Sequence, residues 1–404
     1  MIPVKEAEEI INSITLDTGA EQVPVSEATG RVLRESITSD RDLPPFDRVM
    51  MDGIAIRFDQ WKQGRRSFPI AGLQKAGAPR QTLRNGVHCL EVMTGAILPG
   101  NTDTVIRYED LEITEKDGSA IATIQKPPKA RRQNIHAKGT NRAGGTLIVE
   151  EGTVLSSAEI GVAATVGMPQ VKVSSPPRVA VISTGDELVG IDQQPLPHQI
   201  RGSNSYTLAA ALRELGIKAR LFHLDDDKEE IADKLGGLLS QFDLLILSGG
   251  ISRGKLDYIP EMLEQNSVER LFHKVRQRPG KPFWFGRSEQ AVVFALPGNP
   301  VSTFTCYYRY ICPWLKRQLG MQEEKQPVAQ LTEDYTFEKK LTYFLQVKIS
   351  QSPEGIMQAT PVKGKGSSDL ANLCRADGLL ELPEEKNLFS REESFSLYLY
   401  RPMW

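Results

Sequence analysis

Cysteine, histidine and an excess of charge are all scarce in this chain of 404 residues. Its four cysteines, Cys89, Cys306, Cys312 and Cys374, form no C-x-x-C pair. That fits a reduced cytoplasm better than a disulfide scaffold. The five histidines include no H-E-x-x-H arrangement, which argues against a zinc enzyme. Basic residues number 49 and acidic ones 51, a formal net charge of −2, so no basic excess points to nucleic acid. No segment reaches the ~20 apolar residues that span a bilayer. The opening stretch from Met1 to Glu9 is acidic and lacks an apolar run, so no signal peptide is expected. The chain is too long for one core, and two to four domains are expected.

What is present changes character along the chain. Val4, Ala7, Ile10, Ile11 and Ile14 recur at helical spacing with acids on the other face. From about 55 to 137, β-prone runs at 67–71, 103–108 and 120–124 are divided by turn residues such as Asp117-Gly118, the pattern of a small all-β module. From 178 to 320, strands and helices alternate. Strands are expected at 179–183 and 244–247. Helices are expected at 205–215, capped by Ser203 or Asn204 and closed by Gly216, at 228–239 and at 299–319. Alternation of this kind predicts a doubly wound, mostly parallel sheet covered on both faces. Short strands return after Pro327, at 344–349, 378–382 and 395–400, and predict a C-terminal β-barrel or sandwich. Ser174 to Pro177 and Glu323 to Pro327 read as linkers.

Several segments can carry chemistry. The apolar run ending at Ser248-Gly249-Gly250 is followed by Ser252, Gly254 and Asp257. Glycines after a buried strand let backbone N–H groups approach an anion, at the carboxyl edge where open α/β sheets bind ligands. The segment from Ser183 to Leu188 places Asp186 and Glu187 at the end of another strand, and Asp225-Asp226-Asp227 follow a third. Paired carboxylates of this kind hold Mg²⁺ through oxygen, or simply cap helices. Lys274, Arg276, Arg278 and Lys281 concentrate cations: a strand over 272–276 would put Lys274 and Arg276 on one face, with Pro279-Gly280 turning Lys281 back. Such a set suits a phosphate or pyrophosphate, or blunts a sheet edge. Pro297-Gly298-Asn299-Pro300 is expected to be a rigid turn, with Gly298 supplying an unusual φ.

In this order the segments resemble the molybdopterin molybdotransferases, the molybdenum insertases that include the C-terminal part of gephyrin. The markers are Gly30–Leu33, Pro45-Phe46, Met51-Asp52-Gly53, Met93-Thr94-Gly95-Ala96, Ile182–Leu188, Ser248–Asp257, Pro279–Pro282 and Leu296–Ser302. The resemblance covers nearly the whole chain. It implies a cytoplasmic, elongated homodimer of four-domain subunits, neither nucleic-acid-bound nor in a membrane. The domains would be a discontinuous linking and dimerisation domain (1–44 with 138–176), a small β domain (45–137), the α/β molybdopterin-binding domain (177–324) and a C-terminal β-barrel domain (325–404).

The same resemblance implies a reaction. Adenylylated molybdopterin and molybdate would be the substrates. Mg²⁺-dependent cleavage of the pyrophosphate linkage would release AMP and insert molybdenum. The cleft would lie between the α/β domain of one subunit and the β module of the other. Asp52, Thr94, Glu187 and Asp257 match catalytic residues; Glu187 with Asp225 or Asp226 matches the metal site. Ser248, Gly249, Gly250, Ser252, Gly254, Lys274, Arg278, Lys281, Pro297, Gly298, Asn299, Pro300, Ser367 and Ser368 match substrate-binding positions. Implied partners are the molybdopterin adenylyltransferase and molybdoenzyme apoproteins or their chaperones. Five features depart from the family pattern: Gly139-Thr140-Asn141 for Gly-Glu-Asp, Val49-Met50 for small residues, Arg278 for lysine, Gln346 for arginine, and Gly366-Ser367-Ser368 for Gly-Ser-Gly. Adenylylation of molybdopterin and a non-catalytic scaffold are the competing readings. The single α/β unit speaks against the first, and the retained acids against the second.

Overall fold

The computed structural model describes residues 1–116, 118–251, 257–323 and 325–401. Ser252, Gly254, Asp117 of the expected turn and Glu324 of the expected linker lie outside these residues. The chain forms two compact units: Met1–Arg34 with Gly152–Ser156 and Val171–Trp404, and Glu35–Glu151 with Ser157–Gln170.

The first unit is built on a six-stranded sheet. Its strands, in chain order, are β1 (Val179–Thr184), β2 (Ala219–Leu224), β3 (Leu244–Ser248), β4 (Glu269–His273), β5 (Trp284–Arg287) and β6 (Val292–Leu296). They lie in the order β2-β1-β3-β6-β5-β4, with the first four parallel and the last two antiparallel. Residues alternate between two buried layers. Val179, Val181, Leu244 and Ile246 enter one core, and Ala180, Ile182, Leu245 and Leu247 the other. Two apolar faces require a cover on each side, which explains the continuous apolar runs read from the sequence. The helix Asn204–Glu214 contributes Leu208, Ala211 and Leu212 to the first core. Helix Lys228–Gln241 contributes Ile231, Leu235 and Leu239 to the second. The N-terminal helix Val4–Asn12 buries Val4, Ala7 and Ile11 in the first core, the face its periodicity marked.

Two expectations in this unit need correction. The long helix expected over 299–319 is helical throughout but not uniformly α: Pro300–Cys306 and Cys312–Gln318 flank a π-helical turn, Tyr307–Ile311. Pro313 has no N–H to offer the Arg309 carbonyl one turn back, and the widened turn absorbs that loss. The strand expected over 272–276 does not run through. β4 stops at His273, Lys274 takes φ +77°, and the chain resumes as Gln277–Arg278 beside Thr342–Tyr343.

The end of the chain closes a five-stranded barrel. Thr342–Gln351 pairs with both Met357–Pro361 and Gly378–Leu382. Ser394–Leu399 links Gly378–Leu382 to Val328–Leu331, which pairs in parallel with Met357–Pro361. Closure leaves no free edge. Its interior holds Leu345, Val347, Leu380, Leu382, Phe389 and Leu397.

The second unit carries a six-stranded, mostly antiparallel sheet in the order Thr104–Arg107, Gly53–Ile56, Cys89–Val92, Ser67–Gln74, Ser119–Ile124, Leu111–Lys116. Only Ser67–Gln74 and Cys89–Val92 pair in parallel. Ile54, Ile56, Phe68, Cys89 and Ile106 fill one side of it.

Candidate active site

The parallel strands of the first unit end flush. Ser183 is level with Ser248, and Ser248 with Leu296. Each strand then breaks into a turn, and the turns wall a cleft of about 830 Å³. After β3, Gly249 takes φ +105° and Gly250 φ +63°, conformations that side chains rarely adopt. There is also no room for one: a Cβ on Gly249 would stand 2.7 Å from Thr184 Oγ1 and 2.9 Å from the Thr184 carbonyl oxygen. After β6, Pro300 starts the next helix and Thr303 Oγ1 donates to the Pro297 carbonyl at 2.5 Å. Gly298 does not supply the unusual φ expected of it. A Cβ there would meet only Gly249 Cα, at an ordinary contact distance of 3.6 Å. Asn204, at the start of its helix, ties the same loop down by donating Nδ2 to the Gly298 carbonyl at 2.8 Å.

Of the residues named from sequence, Glu187, Asp226, Ser248, Gly249, Gly250, Asp257, Pro297, Gly298, Asn299, Pro300 and Ser368 line this cleft. The three consecutive aspartates divide. Asp227 caps the following helix, accepting from the Glu229 and Glu230 N–H groups at 3.1 and 2.9 Å. Asp225 lies exposed, 3.3 Å from His223 Nε2. Asp226 faces the cleft. Burial pushes its carboxyl above the usual 3.8, and Asp186, Glu187 and Asp257 push it further. Its own N–H donates to Asp186 Oδ1 at 2.8 Å. Among the described residues, no three His, Cys, Asp or Glu side chains stand together as a ready metal cage.

Lys274, Arg278, Lys281, Asp225 and Ser367 are not on the cleft wall. Arg278 stands over the Phe337 ring at 6.0 Å, and Arg276 pairs with Glu384 at 2.8 Å. The Ser367 carbonyl accepts from the Val301 N–H at 3.1 Å. Arg201, Thr184 and Asn204 do line the cleft and escaped the sequence reading. Arg201 and Asn204 sit in a stretch with no motif around them beyond a helix cap. Thr184 was in view beside Gly185 but overshadowed by the acids that follow.

In the second unit, Asp52 and Thr94 are brought together from 42 residues apart. Asp52 Oδ1 accepts from the Thr94 N–H at 2.6 Å and the Thr94 hydroxyl at 2.7 Å. These two donors, the backbone one foremost, hold the Asp52 carboxyl below its usual range. The Tyr108 N–H donates to the Asp52 carbonyl at 3.1 Å, and the Tyr108 hydroxyl donates to Glu91 at 2.7 Å. Met50 and Met51 beside Asp52 are exposed. The departures noted above have local partners. The Asn141 N–H donates to the Leu43 carbonyl at 2.9 Å, and Gln346 Oε1 accepts from Asn372 Nδ2 at 2.8 Å.

Comparison with known proteins covers the whole chain. Residues 2–167 match the family model described as MoeA N-terminal region (domain I and II). Residues 180–317 match a probable molybdopterin binding domain, and 328–400 the MoeA C-terminal region (domain IV). A Synechocystis protein named molybdopterin molybdenumtransferase is 41% identical over 404 residues, 99% of this chain and all of that one. A Haemophilus influenzae protein of the same name is 32% identical over 319 residues, 79% of this chain and 78% of that one. The solved structure of a molybdopterin biosynthesis MoeA protein from Pyrococcus horikoshii superimposes with a TM-score of 0.85 at 31% identity, with both chains fully covered.

Proposed function

Because this chain belongs to the MoeA family, whose curated members are molybdopterin molybdenumtransferases, we propose that it completes molybdenum cofactor by inserting molybdenum into adenylylated molybdopterin. The observation that carries this reading is one cleft holding a glycine anion turn and converging carboxylates at the flush edge of a parallel sheet. Cleaving a pyrophosphate linkage needs developing charge to be neutralised, and no histidine or cysteine nucleophile.

The donor set fits Mg²⁺. Glu187, Asp226 and Asp257 offer only oxygen, and burial, with the charges of Asp186, Glu187 and Asp257 behind it, already raises Asp226. A hard cation held by one or two carboxylates, with water and substrate phosphate completing its shell, requires no preformed cage. Bound there, Mg²⁺ would neutralise phosphate charge and polarise the phosphoryl group. The chain's own groups do the rest. The Gly249 N–H is taken by the Leu296 carbonyl at 3.1 Å, so the turn receives a phosphate on the Gly250 N–H. Arg201 offers a guanidinium at the cleft wall, whereas Lys274, Arg278 and Lys281 stand off it. Asn204 and Thr303 keep the Pro297–Pro300 loop rigid. Asp52, held ionised by Thr94, serves as the functional carboxylate of the second unit. The four-domain division, a cytoplasmic location and a homodimer whose second copy supplies Asp52 and Thr94 belong to the same proposal.

The test is reconstitution with adenylylated molybdopterin, molybdate and Mg²⁺, following AMP release and active cofactor. Asp52→Ala and Glu187→Ala each abolish product while the fold is retained. Mixed dimers of the two variants regain activity by complementation. Full product from both single variants refutes the residue assignment.

A further inference from the structure

One residue of the cleft wall arrives from outside the α/β sheet. Ser368 lies on a loop of the C-terminal barrel, between the strand Met357–Pro361 and the short 3₁₀ helix Leu370–Cys374. The loop reads Lys363-Gly364-Lys365-Gly366-Ser367-Ser368 and carries no apolar side chain. Its first four residues are exposed. A segment of this kind has nothing to pack into a core, and its two glycines add backbone freedom, so hydrogen bonds must set its place.

Three holds do so. At the tip, the Ser367 carbonyl accepts from the Val301 N–H at 3.1 Å, a first-turn donor that its own helix leaves unpaired. Inside the loop, Asp369 Oδ2 accepts from the Lys365 N–H at 2.9 Å. At the base stands Asn372, 4% exposed, whose Nδ2 donates to Gln346 Oε1 at 2.8 Å and to the Val362 carbonyl at 3.3 Å. Both amide hydrogens are thereby spent, one where the chain enters the loop and one on the neighbouring strand Thr342–Gln351. The Val362 N–H donates in turn to the Gln346 carbonyl at 2.8 Å. Gly364 closes over the amide: a Cβ there would stand 2.7 Å from Asn372 Nδ2. A buried amide with its hydrogens fully committed fixes one geometry, where an apolar side chain of similar size tolerates several.

We propose that Asn372 is a positioning residue of the cleft: its amide clamps the base of the 362–369 loop and so keeps Ser368 on the wall, next to the start of helix Pro300–Cys306. Asn372 acts through the loop alone and touches no substrate. The barrel thereby becomes part of the site. This rests on the reading of the cleft as the place where molybdenum is inserted.

The test uses Asn372→Leu, which keeps the bulk and loses both donors, and Gly364→Ala, whose methyl group presses on the amide from an exposed position. Trypsin reads the loop without any reaction, because Lys363 and Lys365 are exposed; Lys339 and Lys340, exposed in another loop of the barrel, are the internal control. Both variants speed cleavage after Lys363 and Lys365 about tenfold and leave cleavage after Lys339 and Lys340 unchanged. Well below the melting temperature, both lower kcat/KM for adenylylated molybdopterin about tenfold. A merely structural asparagine gives a lower melting temperature, an unchanged ratio of cleavage at the two lysine pairs and an intact kcat/KM. That result overturns the proposal, as does faster cleavage after Lys363 and Lys365 with kcat/KM intact. If Asn372→Leu fails to fold, Gly364→Ala decides by the same two readouts. If wild type consumes no nucleotide while the variants open the loop to trypsin, the reaction is wrong and the clamp stands. If wild type turns over and both variants match it in both assays, the clamp is wrong and the reaction stands.

Discussion

Replacing Gly53 by alanine tests how the second unit holds Asp52. Gly53 pairs on one side with Val92 and on the other with Arg107, so its strand cannot shift sideways. A Cβ there would stand 1.9 Å from the Ile106 carbonyl oxygen and 2.8 Å from Arg107 Cα. An ordinary carbon–oxygen contact is about 3.3 Å, so backbone must yield by more than an ångström. Overpacking costs about 1–3 kcal/mol, and each ladder hydrogen bond lengthened in consequence about 1 kcal/mol more. The expected loss is about 3–5 kcal/mol, or roughly 6–20 °C in melting temperature at 2–4 °C per kcal/mol.

Gly95 provides the control, because it follows Thr94 and has φ +84° but only Ala76 Cβ, 4.0 Å away, near its Cβ position. Gly95→Ala carries the conformational cost alone, about 1–2 kcal/mol. Differential scanning calorimetry of both variants reads the difference, and AMP release reads its consequence for Asp52. If Gly53→Ala melts within about 2 °C of Gly95→Ala, steric exclusion is not what requires glycine at 53.

Two further outcomes follow from burial and charge. Asp226 has a raised folded pKa, so its ionised form opposes folding above that value, and the penalty fades as pH falls through it toward 3.8. Asp226→Asn therefore stabilises the ligand-free protein at pH 7, with a gain that shrinks on acidification; a lower urea midpoint for the variant at pH 7 contradicts this. Arg309 is 4% exposed, pairs with Glu8 at 2.9 Å and Glu381 at 2.7 Å, and lies between the Tyr310 and Tyr398 rings. Arg309→Ala strands both acids and costs about 3 kcal/mol by denaturant titration; lysine does not restore it, since one ammonium cannot replace the planar fork.

Much of this protein is local in origin. The two-faced burial of β1, β3 and β6 is written in their uninterrupted apolar runs, because a strand covered on both sides has no polar face to reveal. The glycine turn after β3 was legible for a similar reason, since a chain leaving a buried strand toward an anion needs residues without side chains. Motif order along the chain sufficed to point to the family.

Other features came only from three dimensions. Three adjacent aspartates look alike in sequence, yet one caps a helix, one meets His223 and one enters a crowded acid cluster, because the turn from strand to helix points each a different way. The basic run from Lys274 to Lys281 looks like one cationic face until a positive φ at Lys274 breaks its strand. Asp52 becomes a held carboxylate only when Thr94 arrives from a distant loop. Asn372 becomes a clamp only once folding brings Val362 and Gln346 to its amide. Periodicity and turn chemistry act between near neighbours and can be read along a chain; charge crowding and hydrogen-bond satisfaction depend on what folding brings close, and no linear pattern records that.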